Sequence, residues 1–523
     1  MYSVIIKNGT IIDGSGIEKY QADLGIKEDL IAKIKPKISA KAGQTIDATG
    51  LYVCPGFIDI FNHSDDYWTL FTCPSQESLL HQGITTVLGG NAGSSLAPLI
   101  HAQVIENIRK WANINEVMVN WQKVSEYLAE LNRRKLALNY ASLVGYETLC
   151  RGLTGNTVRS LGAKEITALI SVLQDALKQG AFGLSNGLSF SQANLINQDS
   201  LVEILKVVVK NNGFYSIHIR GEREEFLPSI KNALDAASQS NVSLEINHLK
   251  VLGPENWSQM DEALNLINQA AQAGVKVNFD VYPYTTTGSS LIVLLPDWLA
   301  EGNNHTILNR LDDPIVRIRA IKEMSNIPYD YSKVVIAQAK QPSFIGKTVS
   351  QIADNEGCSP EQAVINILLA NEGQVIVFMD VLSEDNFKKA LTHSLSLVAT
   401  DGAGYGMSFN QKGGLIHPRS FGTFPRVLAK YVREEKLLSW EQAIAKMTSI
   451  PAQKIGFKKR GLLTIGNFAD VVVFNPQVIS DLATFDNPFQ YALGVEYLLI
   501  NGCAVIEAGK YNGRMVGRVL TKK

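Results

Sequence analysis

Cysteine is scarce in this chain and never close-set: five in 523 residues, at positions 54, 73, 150, 358 and 503, with no CxxC pair. That spacing is the one expected of reduced, mostly buried thiols in a cytoplasmic protein. No apolar run is long enough to span a bilayer, so no membrane is expected as a partner. The opening residues Met1-Tyr2-Ser3-Val4-Ile5-Ile6-Lys7-Asn8-Gly9 lack the basic-then-apolar order of a signal peptide, and the expected location is the cytoplasm. An excess of charge of either sign is missing too. Lys and Arg number 49 against 50 Asp and Glu, which leaves no whole-chain basic face for nucleic acid. Internal repeats and low-complexity tracts do not occur. What remains is an ordinary globular balance, 46% apolar and 19% charged, in a chain long enough for one large barrel with an accessory domain.

The two ends of the chain are written in the same style. Short β-type runs separated by Gly, Asn and Asp turns fill 4–7, 10–13, 22–27, 30–34 and 45–47, and resume at 469–474, 495–500 and 504–507. Between them, β-type runs alternate with helical periodicity, the pattern of a parallel α/β architecture. Eight runs read as barrel strands, at 56–61, 85–89, 138–143, 181–184, 214–218, 243–248, 276–281 and 396–400. Several are rich in Val, Ile and Phe, as strands covered on both faces should be. The expected fold is therefore α/β. A TIM-like (β/α)8 barrel over 54–461 is inserted into a small β-sandwich formed by 1–53 and 462–523. The interval between the last two barrel strands is far longer than a barrel unit needs, so an inserted subdomain or lid is expected around 290–395.

Strand C-termini in such barrels face the active site. The first strand delivers His63, the fifth His218, the sixth His248 and the eighth Asp401. Three histidines and one carboxylate at strand ends can assemble a hydrolytic centre around one divalent metal ion, zinc first by the nature of the ligands. The metal would polarise an amide carbonyl and lower the pKa of its bound water, and Asp401 would move the proton. A lone histidine near a strand end is often only a satisfied polar residue; four such groups on strands one, five, six and eight are harder to dismiss. By the same reasoning His81, His101, His305 and His393, which lack supporting context, read as ordinary residues. Gly89-Gly90-Asn91-Ala92-Gly93 and Gly346-Lys347-Thr348 do not meet the requirements of a phosphate loop, since the first lacks a nearby Lys and the second has Gln341 where Gly is required.

Longer motifs carry a resemblance. They are Pro55-Gly56-Phe57-Ile58-Asp59, Gly83-Ile84-Thr85-Thr86-Val87, Gly183-Leu184-Ser185-Asn186-Gly187-Leu188, Tyr282-Pro283-Tyr284-Thr285, and His417-Pro418-Arg419-Ser420-Phe421-Gly422-Thr423-Phe424-Pro425-Arg426, then Gly466-Asn467-Phe468-Ala469-Asp470-Val471. Over essentially its whole length the chain resembles the amidohydrolase superfamily, and within it the N-acyl-D-amino-acid deacylases (D-aminoacylases). The resemblance implies a zinc site and hydrolysis of an N-acyl group from a D-amino acid. His218 and His248 match the histidines that hold the catalytic metal, and Asp401 matches the catalytic aspartate. Lys250, Tyr282 and Arg419 match residues that bind the substrate carboxylate, a role an Arg fork and a Lys suit physically. The implied partner is thus a small carboxylate-bearing amide.

The departures fall on the metal. The family carries His-x-His after the first strand, where this chain has Phe61-Asn62-His63, and a cysteine after the second, where this chain has Asn91-Ala92-Gly93. Neither Phe nor Ala can bind a metal through its side chain, so a two-metal site is not expected. One ion on His63, His218 and His248 is, with Asn62, Asn91, Asp65 and Asp66 as nearby polar groups. Tyr146 stands in a Gly145-Tyr146-Glu147 segment where the family has a Gly-His pair, and Gly288 stands where it has a serine. These changes also frame a competing expectation, a catalytically silent relative that binds a carboxylate ligand or partner without turnover.

Overall fold

The computed structural model describes residues 1–101, 104–105, 117–155, 157, 159–187, 195–300 and 304–522; Leu188 of the motif above lies outside these. Eight parallel strands form the barrel: Phe57–Asp59, Ile84–Gly89, Asn139–Ser142 continuing as Val144–Gly145, Gly183–Gly187, Phe214–His218, Ser243–Ile246, Val277–Val281 and Ser396–Val398. Each pairs in parallel with the next. The ring closes between strands eight and one, where the Asp401 N–H donates to Phe61 O at 3.0 Å and the His63 N–H to Gly402 O at 2.8 Å. The (β/α)8 expectation holds. Alternation along the strands sets the two faces of the wall. Ile58, Ile60, Phe61, Leu88, Ala141, Leu143, Phe182, Phe214, Leu397 and Ala399 fill the barrel interior, while the opposite set packs on the surrounding helices. Those helices are amphipathic. Ala163–Lys178, for example, buries Leu169, Leu173, Ala176 and Leu177 and turns its charged residues outward.

The terminal β-domain is one continuous nine-stranded hydrogen-bonded sheet, drawn from both ends of the chain, around a core that includes Val4, Ile6, Leu24, Ile26, Val53, Val471, Val473 and Leu499. Its first strand is longer than its two sequence runs suggest. Tyr2–Ile11 is a single strand with a register shift between Ile6 and Gly9, where Asn8 takes φ 60°. That bulge re-aims the strand, which then pairs with three others. Gly9 is required there: a Cβ would sit 2.6 Å from Val53 Cγ2. Farther along, residues 517–520 leave the domain and run beside barrel strand three, with the Gly517 N–H on Leu136 O at 2.8 Å and the Leu520 N–H on Tyr140 O at 2.7 Å.

The long interval after strand seven folds as its own small layer. Thr286–Ser290, Ile376–Asp380 and Val334–Gln338 make an antiparallel sheet backed by helices Asn304–Leu311, Pro314–Met324, Val349–Glu356 and Pro360–Ala370, with a separate apolar core. The subdomain thus begins a few residues before 290 and ends before 384. Helix Glu384–Thr392 already belongs to the barrel, burying Ala390 and Leu391 in the main core. Among the described residues no helix is long and apolar enough to cross a membrane.

Candidate active site

His63, His218, His248 and Asp401 lie at or just past the C-terminal ends of strands one, five, six and eight, and two of them are held in strained backbone. His218 is the last residue of strand five. His248 follows strand six at φ 36° and Asp401 follows strand eight at φ 49°, both in left-handed conformations that non-glycine residues rarely adopt. Local hydrogen bonds fix them. Asp280 Oδ1 accepts the His248 N–H at 2.8 Å, and Asp280 Oδ2 accepts from Asn247 Nδ2 at 3.1 Å, so strand seven sets the turn that presents His248.

The rim divides into two clusters. In the first, Arg419 Nη1 donates to Asp401 Oδ2 at 2.6 Å, and His63 Nε2 meets Asp401 Oδ1 at 3.2 Å while its Nδ1 faces Asp66 Oδ2 at 3.4 Å. Arg419 lies over the Tyr282 ring at 5.1 Å, and its own N–H is accepted by His417 Nδ1 at 3.1 Å. In the second, His248 Nε2 and His218 Nδ1 face each other at 2.7 Å. Lys250 Nζ is 2.7 Å from His248 Nδ1 and donates to Glu222 Oε1 at 2.5 Å. Phe61 stands between the clusters, its fully buried ring edge-on to His63 at 4.9 Å and to His248 at 5.1 Å.

Electrostatics separates the histidines by role. Burial lowers the affinity of His248 for a proton, the Lys250 ammonium lowers it further, and His248 is held well below the ordinary range. Burial likewise lowers His218. Both shifts favour the neutral ring, the form a metal requires. His63 is the opposite case: burial disfavours its charge, but hydrogen bonds to Asp401 and Asp66 outweigh that and push it up to about 10. Burial also works against ionising Asp401. The Arg419 guanidinium and the His63 ring overcome it and hold the carboxyl far below the usual range. Lys250 keeps its charge against burial because Glu222 is beside it.

The structure therefore brings together His218, His248 and Lys250 on one side and His63, Asp401, Arg419 and Tyr282 on the other. Among the described residues, one ligand atom each from His218, Glu222 and His248 lie within 4.8 Å of one another, and His63 is outside that group. Phe61 and the two carboxylates holding His63 account for the separation. The other polar candidates are engaged in the wall. Asn62 Nδ2 donates to Asp59 Oδ2 at 2.8 Å, Asn91 Nδ2 to Leu88 O at 2.8 Å, and Asp65 Oδ2 accepts the Gly90 N–H at 2.6 Å. Tyr146 is buried at the start of the helix after strand three. Glu222 was missed because it lies in the loop after strand five, where no strand pattern points to it; its spacing of four from His218 was the available signal.

A parallel barrel carrying paired imidazoles and an aspartate at its rim, joined to a β-domain built from both chain ends, is the architecture of the amidohydrolases. A family model described as "Amidohydrolase family" matches residues 415–506. The D-aminoacylase of Alcaligenes xylosoxydans xylosoxydans is 30% identical over 524 residues, spanning 100% of this chain and 98% of that protein. Two solved structures superpose with a TM-score of 0.84 at 29% identity and full coverage of both chains. One is the N-acyl-D-glutamate deacylase of Bordetella bronchiseptica, complexed with zinc and a phosphonate mimic of the tetrahedral intermediate. The other is a D-aminoacylase described as having a binuclear metal centre with one-metal activation and second-metal attenuation. The chain belongs to the D-aminoacylase family of amidohydrolases.

Proposed function

We propose that this protein hydrolyses the amide bond of an N-acyl-D-amino acid, releasing a carboxylate and the free D-amino acid. The observation that carries the reading is the pair of facing imidazoles of His218 and His248 across the barrel rim from Asp401, in a chain alike over its full length to D-aminoacylase. The donor set fits a divalent metal, with zinc supported by the Bordetella structure. His218 and His248 would hold the ion. His63 is the third imidazole of the proposed set; it would serve as a ligand only after giving up the proton that Asp401 and Asp66 favour. One ion is proposed, since Phe61 and Ala92 stand where the family's further ligands are; one-metal activation in the solved D-aminoacylase supports activity with a single ion. When bound, the ion supplies polarisation of the amide carbonyl and a water of lowered pKa.

The protein's own groups do the rest. Asp401, ionised and hydrogen-bonded on both oxygens, takes the proton of the attacking water and returns it to the departing nitrogen. Arg419 and Lys250 are each satisfied by one carboxylate in the structure, Asp401 and Glu222. A substrate carboxylate offers both a new partner, and transfer of Arg419 to it leaves Asp401 a stronger base. Tyr282 supports the guanidinium from its ring face. The five cysteines are all unpaired, which supports a cytoplasmic location.

A panel of N-acetyl-D- and N-acetyl-L-amino acids, assayed for free amino acid with the zinc-loaded protein, tests the reading. Turnover of D substrates that is lost on chelation is expected; a loaded, folded protein that hydrolyses none of them overturns it.

A further inference from the structure

We propose that Glu222 is a protein ligand of the divalent ion, taking the role left open where the family's cysteine is replaced by Ala92. This rests on the metal-dependent reading above. His218, Glu222 and His248 are the residues whose ligand atoms already converge within 4.8 Å. Two donors on one zinc at bond lengths of about 2.0–2.1 Å are roughly 3.3 Å apart in a tetrahedral site. Glu222 Oε1 and His248 Nδ1 are 3.3 Å apart. That ring nitrogen is opposite the Nε2 that faces His218, so an ion shared by all three would be held through His248 Nδ1 with the His218 ring turned toward it. The widest separation in the group, up to 4.8 Å, must close by as much as about 1.5 Å to share an ion. Two histidines and a glutamate are an established zinc set, and a carboxylate restores the negative charge that loss of a thiolate removes.

A cation already sits at this place. Lys250 Nζ is 2.5 Å from Glu222 Oε1 and 2.7 Å from His248 Nδ1, with the lysine and glutamate side chains only 10% and 13% exposed. A buried carboxylate needs a positive partner, and the Lys250 ammonium provides it. An ion bound there takes over both contacts and turns Lys250 loose for the substrate carboxylate. An ion held by Glu222 and His248 would compete with Lys250 for the same two atoms, which would link metal binding and substrate binding through one side chain.

The test measures zinc affinity by chelator competition, and the visible spectrum of the cobalt(II)-loaded protein, for wild type, Glu222→Gln and Lys250→Gln, with melting curves to check folding. Wild type should take one ion per chain. Glu222→Gln should weaken zinc by more than about 100-fold, beyond the 10–100-fold expected for a group acting from behind a ligand, and should alter the cobalt spectrum. Lys250→Gln, which removes the competing ammonium, should tighten zinc about tenfold or more. A cobalt spectrum unchanged in Glu222→Gln overturns the assignment, as does equal or weaker zinc binding in Lys250→Gln, while leaving the hydrolase reading intact. A wild-type chain that takes up no ion overturns both.

Discussion

Replacing Phe61 by histidine tests whether this ring is a packed wedge standing where a metal ligand could be. Phe61 is fully buried in the barrel interior and edge-on to His63 at 4.9 Å and His248 at 5.1 Å. Each such aromatic contact is worth about 0.5–1.5 kcal/mol beyond its buried area. The new ring also brings an N–H into an apolar cluster with Ile58, Ile60 and Leu88, where an unsatisfied donor costs about 1–3 kcal/mol. With chelator present F61H should therefore be less stable than wild type by about 2–6 kcal/mol. Zinc should narrow the gap, because a ligand held at a hundred times its dissociation constant adds about 2.7 kcal/mol and the new imidazole strengthens the site. The assay is denaturant unfolding of both proteins, each with chelator and with excess zinc, alongside zinc content by elemental analysis. Equal stability of the two proteins in chelator would refute the packing argument. An equal gain from zinc would refute the placement of Phe61 beside the ion.

Asp401→Asn should lower kcat by about 10²–10⁴-fold with little change in KM for the preferred substrate, as loss of a proton-transfer group does; a large rise in KM with kcat intact would move Asp401 from chemistry to binding. Burial holds His81, stacked on Tyr491, down to about 4 from 6.5, with Glu77 only partly offsetting this. Between those values the unfolded chain binds the extra proton, so stability rises with pH through the window and is lost as pH falls from about 6.5 to 4, by at most about 3 kcal/mol. Urea midpoints across that range should show a slope that His81→Phe flattens; an unchanged slope means other groups cause it. A Cβ at Gly288 would meet nothing nearer than His417 Cδ2 at 3.6 Å, so Gly288→Ser should melt within a degree or two of wild type; a drop of many degrees would show that the wall is tighter than its geometry.

The barrel was legible because several of its strands are short Val-, Ile- and Phe-rich runs covered on both faces, and because strands one, five, six and eight end in groups with chemistry. The strand ends alone made His63, His218 and His248 equal candidates, and the resemblance singled out His218 and His248. What escaped the sequence depends on approach through space. Arg419 and Asp401 form an ion pair at 2.6 Å that no spacing predicts, so the expected carboxylate-binding arginine is instead found holding the expected base. Glu222 lies in a loop, where the period of two that marks strand residues has already ended. His63 reads as the equal of the other two histidines until Asp66 and Phe61 are seen beside it. The first strand was read as two because Asn8 and Gly9 look like a turn; long-range pairing with Tyr20–Lys27 converts the turn into a bulge.

The segment at 517–520 ties the ordering of events in folding to the far end of the chain. Its hydrogen bonds fall on Leu136, just before barrel strand three, and on Tyr140 within it, and Asn139 Oδ1 accepts the Arg518 N–H across 379 residues of sequence. On a ribosome, strand three would leave the tunnel long before its covering segment is made, so that flank of the wall stays bare through most of synthesis. Premature termination just short of residue 517 would leave the rim chemistry formally complete and the barrel uncovered on one flank, a product more prone to aggregate than to lose its catalytic groups.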